Sequence, residues 1–131
     1  MADTVVAIDD NPGFLRALSA VLSEGEPHFT VTTADDAHTG LFLLQGGLVH
    51  PRFLVLDFHL PDMDAPAVLG VLRRDSALMQ LPVLVLTQAD WHADEVAALA
   101  SGATRFAVKP SRVVALRELV LSFWRECVQP G

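Results

Sequence analysis

Apolar residues along this chain fall into five short runs, separated mostly by stretches whose apolar positions recur three and four residues apart. Residues 4–8 ("TVVAI") form the first run, closed by Asp9 and Asp10. Asn11 offers a helix N-cap and Pro12 suits the first helical position. Phe14, Leu15, Leu18, Val21 and Leu22 then follow at helical spacing. Residues 29–33 alternate apolar and polar and read as a strand near a sheet edge. Asp35 or Asp36 caps a second helix through Leu41 and Leu44, which ends at "QGG". Residues 53–56 ("FLVL") are a third strand, followed by a helix through Val68, Leu69 and Leu72. Residues 82–86 ("PVLVL") are a fourth strand, and a helix over residues 95–100 ends at Gly102, a natural C′ residue. Residues 106–108 make a short fifth strand. Ser111 caps a last helix that runs to about Cys127.

Strands alternating with helices predict βαβ units and a parallel sheet covered on both faces. Continuous apolar strands fit, because parallel strands are buried on both sides. In such sheets the ligand site lies beyond the carboxyl ends of the strands. Asp9, Asp10 and Asp57 each close a strand, so the topology can bring all three to one edge.

Composition narrows the options. The chain has 131 residues, 51% hydrophobic and 19% charged, which suits one domain over residues 1–131 with a packed core. Its net charge of −7 opposes direct binding to nucleic acid, which relies on Lys and Arg against phosphates. No apolar run reaches the ~18 residues of a membrane span. The N-terminus lacks the basic and apolar regions of a secretory signal. With one cysteine, Cys127, and no internal disulfide, a cytoplasmic location is the expectation.

Three carboxylates gathered at one edge repel one another and raise their own pKa values, so a positive partner is expected among them. Mg²⁺ fits, since it takes oxygen ligands and only one or two carboxylates plus a phosphate. Thr87 closes the fourth strand with a hydroxyl and Lys109 the fifth with an ammonium. A carboxylate nucleophile, a metal, a hydroxyl and a lysine point to phosphoryl transfer onto an aspartate. Each element alone has a blander reading: a helix cap, a turn threonine, a surface lysine before proline. Their ordered recurrence across five strands carries the argument.

The motifs "AIDDNP", "LVLDFHLPDMD", "PVLVLT" and "GATRFAVKP" resemble, over essentially the whole chain, the receiver domain of two-component response regulators. The resemblance implies an α/β, doubly wound (βα)5 flavodoxin-like fold with strands in the order 2-1-3-4-5. It implies that Asp57 is the phosphoacceptor, and that Asp10 and Asp57, with Asp9 and the backbone carbonyl of His59, bind Mg²⁺. It implies that Lys109 pairs with the incoming phosphoryl group, that Thr87 and Phe106 form the switch, and that Lys109–Pro110 is cis. A receiver is a signalling phosphoacceptor that catalyses only its own phosphotransfer and dephosphorylation. Three positions depart from the family pattern. Ala65 replaces a usual Gly, so the turn there is expected to be strained or reshaped. Gln88 replaces a small residue and is expected to restrict the phosphoryl site. Phe106 lacks the hydroxyl of the commoner Tyr.

The last helix carries a wider apolar arc than one sheet face needs. Val113, Leu116, Val120, Phe123 and Cys127 form one stripe; Val114, Leu121, Trp124 and Val128 form a second beside it. Together they span roughly 220°, against the ≳100° of an ordinary surface helix. This predicts a homodimer arm over residues 111–131, with Val114, Leu121, Phe123, Trp124 and Val128 at the interface. The alternative is that Trp124 folds over the base of the domain. The ending "SFWRECVQP" is similar to the tails of response regulators that partner phytochromes, which implies a red-light-sensing histidine kinase upstream. The chain reads as a stand-alone receiver whose output is contact with a further, unidentified protein. Trp91 is a second candidate partner contact.

His28, His38, His50, His59 and His92 show no zinc-ligand spacing. Two rival readings remain open. A phosphorylation-independent receiver-fold interaction module is one. An aspartate-nucleophile phosphatase is the other, but it needs a second Asp where His59 stands.

Overall fold

The computed structural model describes residues 2–88 and 92–129; Trp91 lies outside them. Five strands and five helices alternate: β1 (Asp3–Ile8), α1 (Pro12–Ser23), β2 (Phe29–Ala34), α2 (Ala37–Gln45), β3 (Phe53–Asp57), α3 (Ala65–Arg74), β4 (Val83–Thr87), α4 (His92–Ala100), β5 (Arg105–Val108) and α5 (Val113–Phe123). All pairings are parallel and the strand order is β2-β1-β3-β4-β5, the expected doubly wound, flavodoxin-like sheet.

The period of two along each strand divides the core. Val6, Ile8, Leu54, Leu56, Val83 and Val85 face α2, α3 and α4. Val5, Ala7, Phe53, Val55, Leu84 and Leu86 face α1 and α5. α2 can approach β1 because Gly40 has no side chain; a Cβ there would lie 2.2 Å from Ile8 Cδ1.

Local chemistry sets the helix starts at the edge that matters. Asn11, Asp36 and Asp64 each accept a backbone N–H from the third residue on: Phe14, Thr39 and Ala67. Ala65 needs no strained backbone. It is buried as the first residue of α3, its N–H bonds the Phe58 carbonyl at 2.9 Å, and no non-glycine residue among those described has positive φ. Gly102 does adopt φ 108° after α4, where the carbonyls of Gly102, Leu78, Met79 and Leu81 all accept from the Arg73 guanidinium. That one side chain ties the end of α3 to the turns before β4 and β5.

Three expectations need correction. Ser111 does not cap α5; Arg112 holds the N-cap position, and its side chain, having no acceptor, makes no capping bond. Lys109–Pro110 is trans, and the cis bond among the described residues is Glu26–Pro27. The third concerns the dimer arm. Beyond Phe123 the chain continues as a five-residue π-helix, Trp124–Val128. This turn carries Trp124 under the sheet, where its ring meets Phe29 edge-on at 5.2 Å and Arg52 lies over it at 5.0 Å. Phe123 packs edge-on against Phe53 at 5.5 Å. Leu121, Phe123 and Trp124 are therefore buried within the chain's own second core, and Val128 packs partly against it. The wide arc is satisfied internally, because Phe29 and Phe53 offer ring contacts to Trp124 and Phe123. Of the five expected interface residues only Val114 is well exposed, at 75%, beside the exposed Val113.

With Trp124 in the core, Trp124→Ala is expected to destabilise the monomer by about 3–5 kcal/mol, read as a lower urea midpoint at unchanged slope. A variant as stable as the parent contradicts this placement.

Candidate functional site

The carboxyl edge of the sheet gathers the side chains that the sequence scatters. Asp9 follows β1 directly and its N–H bonds the Ala34 carbonyl of β2 at 3.1 Å, so its position is set by strand pairing. Asp57 closes β3 opposite Leu86, and Thr87 closes β4 opposite Val108. The Lys109 N–H then bonds the Thr87 carbonyl at 2.7 Å, which starts the lysine side chain at the same edge. Ligand oxygens of Asp9, Asp10 and Asp57 lie within 4.8 Å of one another. The Lys109 ammonium sits 2.6 Å from Asp9 Oδ2 and 3.4 Å from Asp57 Oδ1, with its side chain only 7% exposed. An open cleft of ≈ 570 Å³ above them is lined by Asp10, Asn11, Pro12, Asp57, His59, Gln88 and Lys109.

The electrostatics are unbalanced: one ammonium faces three carboxylates. Burial, and then the Asp9 charge, push the Asp57 carboxyl up to about 6 despite the pull of Lys109. Asp9 Oδ2 is buried without a well-directed hydrogen bond; its ammonium contact is ionic only. Three carboxylates sharing the single counter-charge of Lys109, one of them held back from ionising, make an acidic cup that suits a further cation. The all-oxygen donor set fits a hard divalent cation rather than zinc.

The other predicted residues are placed as follows. Thr87 is buried and does not line the cleft. Phe106 is half-buried beside Val85 and packs on the first core. Gln88 forms part of the cleft wall. His59 also lines the cleft, but its ring turns to α4, where Nε2 lies 2.8 Å from Asp94 Oδ2. Sequence reasoning missed three contributors. Asp94 was an unmarked helix acid. Asp62 bonds the N–H groups of Ala37 and His38 and the His38 ring; against a burial penalty, these hold its carboxyl well below the usual range and fasten the β3–α3 loop to α2. Phe14 read as an ordinary helix-core residue, yet its ring centroid lies 4.6 Å from Lys109 Nζ.

Comparison with known proteins gives a consistent answer. The family model of the response regulator receiver domain matches residues 5–121. The response regulator PleD of Caulobacter vibrioides is 32% identical over 125 residues, which is 95% of this chain and 27% of PleD, so the chain spans about a quarter of that relative. Among solved structures, the phosphorylated cyanobacterial phytochrome response regulator RcpA superposes with a TM-score of 0.87 at 20% identity over 100% of both chains. The Mn²⁺-bound response regulator Rcp1 gives 0.83 at 19% identity over 98% of this chain and 96% of its own. At those identities the structures speak for the fold alone, while the family model covers most of the sequence and includes every strand that carries the acidic cup. The chain belongs to the response regulator receiver domain family of two-component signalling proteins.

Proposed function

We propose that Asp57 accepts a phosphoryl group from a phosphohistidine on a sensor histidine kinase, and that the protein passes the signal on by contact with another protein. The observation that carries this reading is the meeting of Asp9, Asp10, Asp57 and the buried Lys109 ammonium at one open cleft. In the transfer, an Asp57 carboxylate oxygen bonds to phosphorus as the bond to the donor imidazole nitrogen breaks, and the imidazole leaves with the electron pair. Lys109 stands close enough to Asp57 for its ammonium to follow the oxygens of the arriving group. Asp9, Asp10 and Asp57, with the His59 carbonyl, would hold Mg²⁺, which supplies Lewis-acid stabilisation of the transferring oxygens. Thr87 then bonds the acyl phosphate and Phe106 follows inward, repacking the surface of α4, β5 and α5 as a two-state element. Gln88 in the cleft wall slows the entry of water or small donors.

The kinase is proposed to be of the phytochrome type. The support is the ending "SFWRECVQP", which is similar to the tails of response regulators that partner phytochromes. Self-association is proposed through the exposed start of α5, Val113 and Val114, in place of the buried residues first expected there.

Incubation with acetyl phosphate and Mg²⁺ is expected to add one phosphoryl group by intact mass in the parent and none in Asp57→Asn. Absence of the gain, with a cognate kinase also failing, overturns the assignment.

The Asp57 shift sets a second expectation. Its carboxyl titrates at about 6 in the folded chain against an ordinary 3.8, so the native state binds the extra proton between those values. Ionising it destabilises the fold progressively as pH rises through that window. In metal-free buffer, Asp57→Asn should be more stable than the parent at about pH 7 by on the order of 2 kcal/mol, with the gap closing by about pH 4. Mg²⁺ should raise the parent's melting temperature and narrow the gap. A gap independent of pH, or equal stabilisation of both proteins by Mg²⁺, contradicts the reading.

For the interface, sedimentation at micromolar concentration should show a dimer for the parent and a monomer for Val114→Glu at unchanged melting temperature. Identical behaviour of the two removes α5 from consideration.

A further inference from the structure

Lys109 is enclosed on a side that the acids do not explain. Its ammonium contacts Asp9 Oδ2 at 2.6 Å and Asp57 Oδ1 at 3.4 Å, and it also lies over the Phe14 ring at 4.6 Å from the centroid. With the side chain 7% exposed, little water is left to solvate the charge. An aromatic face attracts such a cation more strongly as it is desolvated.

The ring is not placed there by packing alone. The Asn11 N–H bonds Asp9 Oδ1 at 2.9 Å, and the Phe14 N–H bonds Asn11 Oδ1 at 3.1 Å. Asp9 thus fixes Asn11, Asn11 fixes the first turn of α1, that turn presents Phe14 to Lys109, and Lys109 returns to the second oxygen of Asp9. The contacts form a closed circuit that includes both the cup and the start of the helix. The 2.6 Å attraction to Asp9 outweighs the longer contact to Asp57 and draws the ammonium to one side. A neutral face on a third side holds the ammonium between the two carboxylates and keeps water off it.

We propose that Phe14 is a positioning residue that holds the Lys109 ammonium between Asp9 and Asp57 for phosphoryl transfer. The proposal rests on the reading of Asp57 as acceptor. Phe14 acts through Lys109 and is not among the residues that line the cleft.

The test is the initial rate of Asp57 labelling by acetyl phosphate and Mg²⁺, measured by intact mass. Phe14→Leu keeps an apolar side chain and removes the ring face; Phe14→Tyr keeps the face. Labelling is expected to slow roughly fivefold in Phe14→Leu and to stay within about twofold in Phe14→Tyr. In a Lys109→Met background, Phe14→Leu should have no further effect, because no cation remains to position. Melting curves check that each variant folds, and Phe14→Met replaces Phe14→Leu if that variant does not. A parent rate in Phe14→Leu, an equally slow Phe14→Tyr, or the same proportional loss in both backgrounds overturns the proposal. If the parent itself takes no label, the Asp57 reading fails and this one with it. If the parent is labelled and Phe14→Leu matches it, only the role of Phe14 is lost.

Discussion

Crowding of three carboxylates around one ammonium is the constraint on which this structure turns. A parallel sheet buries its strands on both faces, so Asp9 and Asp57 are drawn into a poorly solvated edge by the apolar runs that precede them. There, burial and like charge outweigh the attraction of Lys109, and the Asp57 carboxyl is pushed up to about 6. Removing Lys109 leaves the acids without a counter-charge; supplying a divalent cation relieves them. The site is poised because its charge is incomplete, and the fold tolerates the cost because two apolar layers stabilise the sheet beneath it.

The surrounding elements fix the cup in place through hydrogen bonds at its rim. Asn11 fastens α1 to Asp9, Asp62 fastens the β3–α3 loop to α2, and the His59–Asp94 contact connects the same loop to α4. A change in charge at Asp57 therefore meets a loop already connected to α2 and α4. Thr87 and Phe106 stand on adjacent strands below the same edge. Local electrostatics can bias distant packing in this way when the intervening contacts have two arrangements.

Much of this was legible in the sequence. Asp9, Asp10, Asp57, Thr87 and Lys109 share one property visible in one dimension, since each follows an apolar strand, and topology alone brings such ends together. The helix start at Asn11 could be read, and the second placed at Asp35 or Asp36, because capping is local chemistry. The partners of His59 and Lys109 could not. Asp94 lies 35 residues from His59, and Phe14 lies 95 from Lys109; neither helix marks which residue makes the contact. The C-terminal segment misled for a different reason. Helical periodicity counted Trp124 and Leu121 as surplus apolar surface, but the π-turn and the Phe29–Phe53 floor give that surface an internal place. A helical wheel shows which side chains are apolar, not how much core the rest of the chain leaves open to them.

The central claim is that these side chains form one cup that holds a cation beside an acceptor oxygen. Anomalous diffraction from a crystal grown with Mn²⁺ and beryllofluoride tests it directly. The account predicts a metal peak ligated by the Asp9–Asp10–Asp57 cluster and a beryllofluoride group on Asp57, with Lys109 Nζ within hydrogen-bond reach of its fluorines. A crystal that binds Mn²⁺ elsewhere, or leaves Asp57 unmodified with Lys109 turned to solvent, would contradict it.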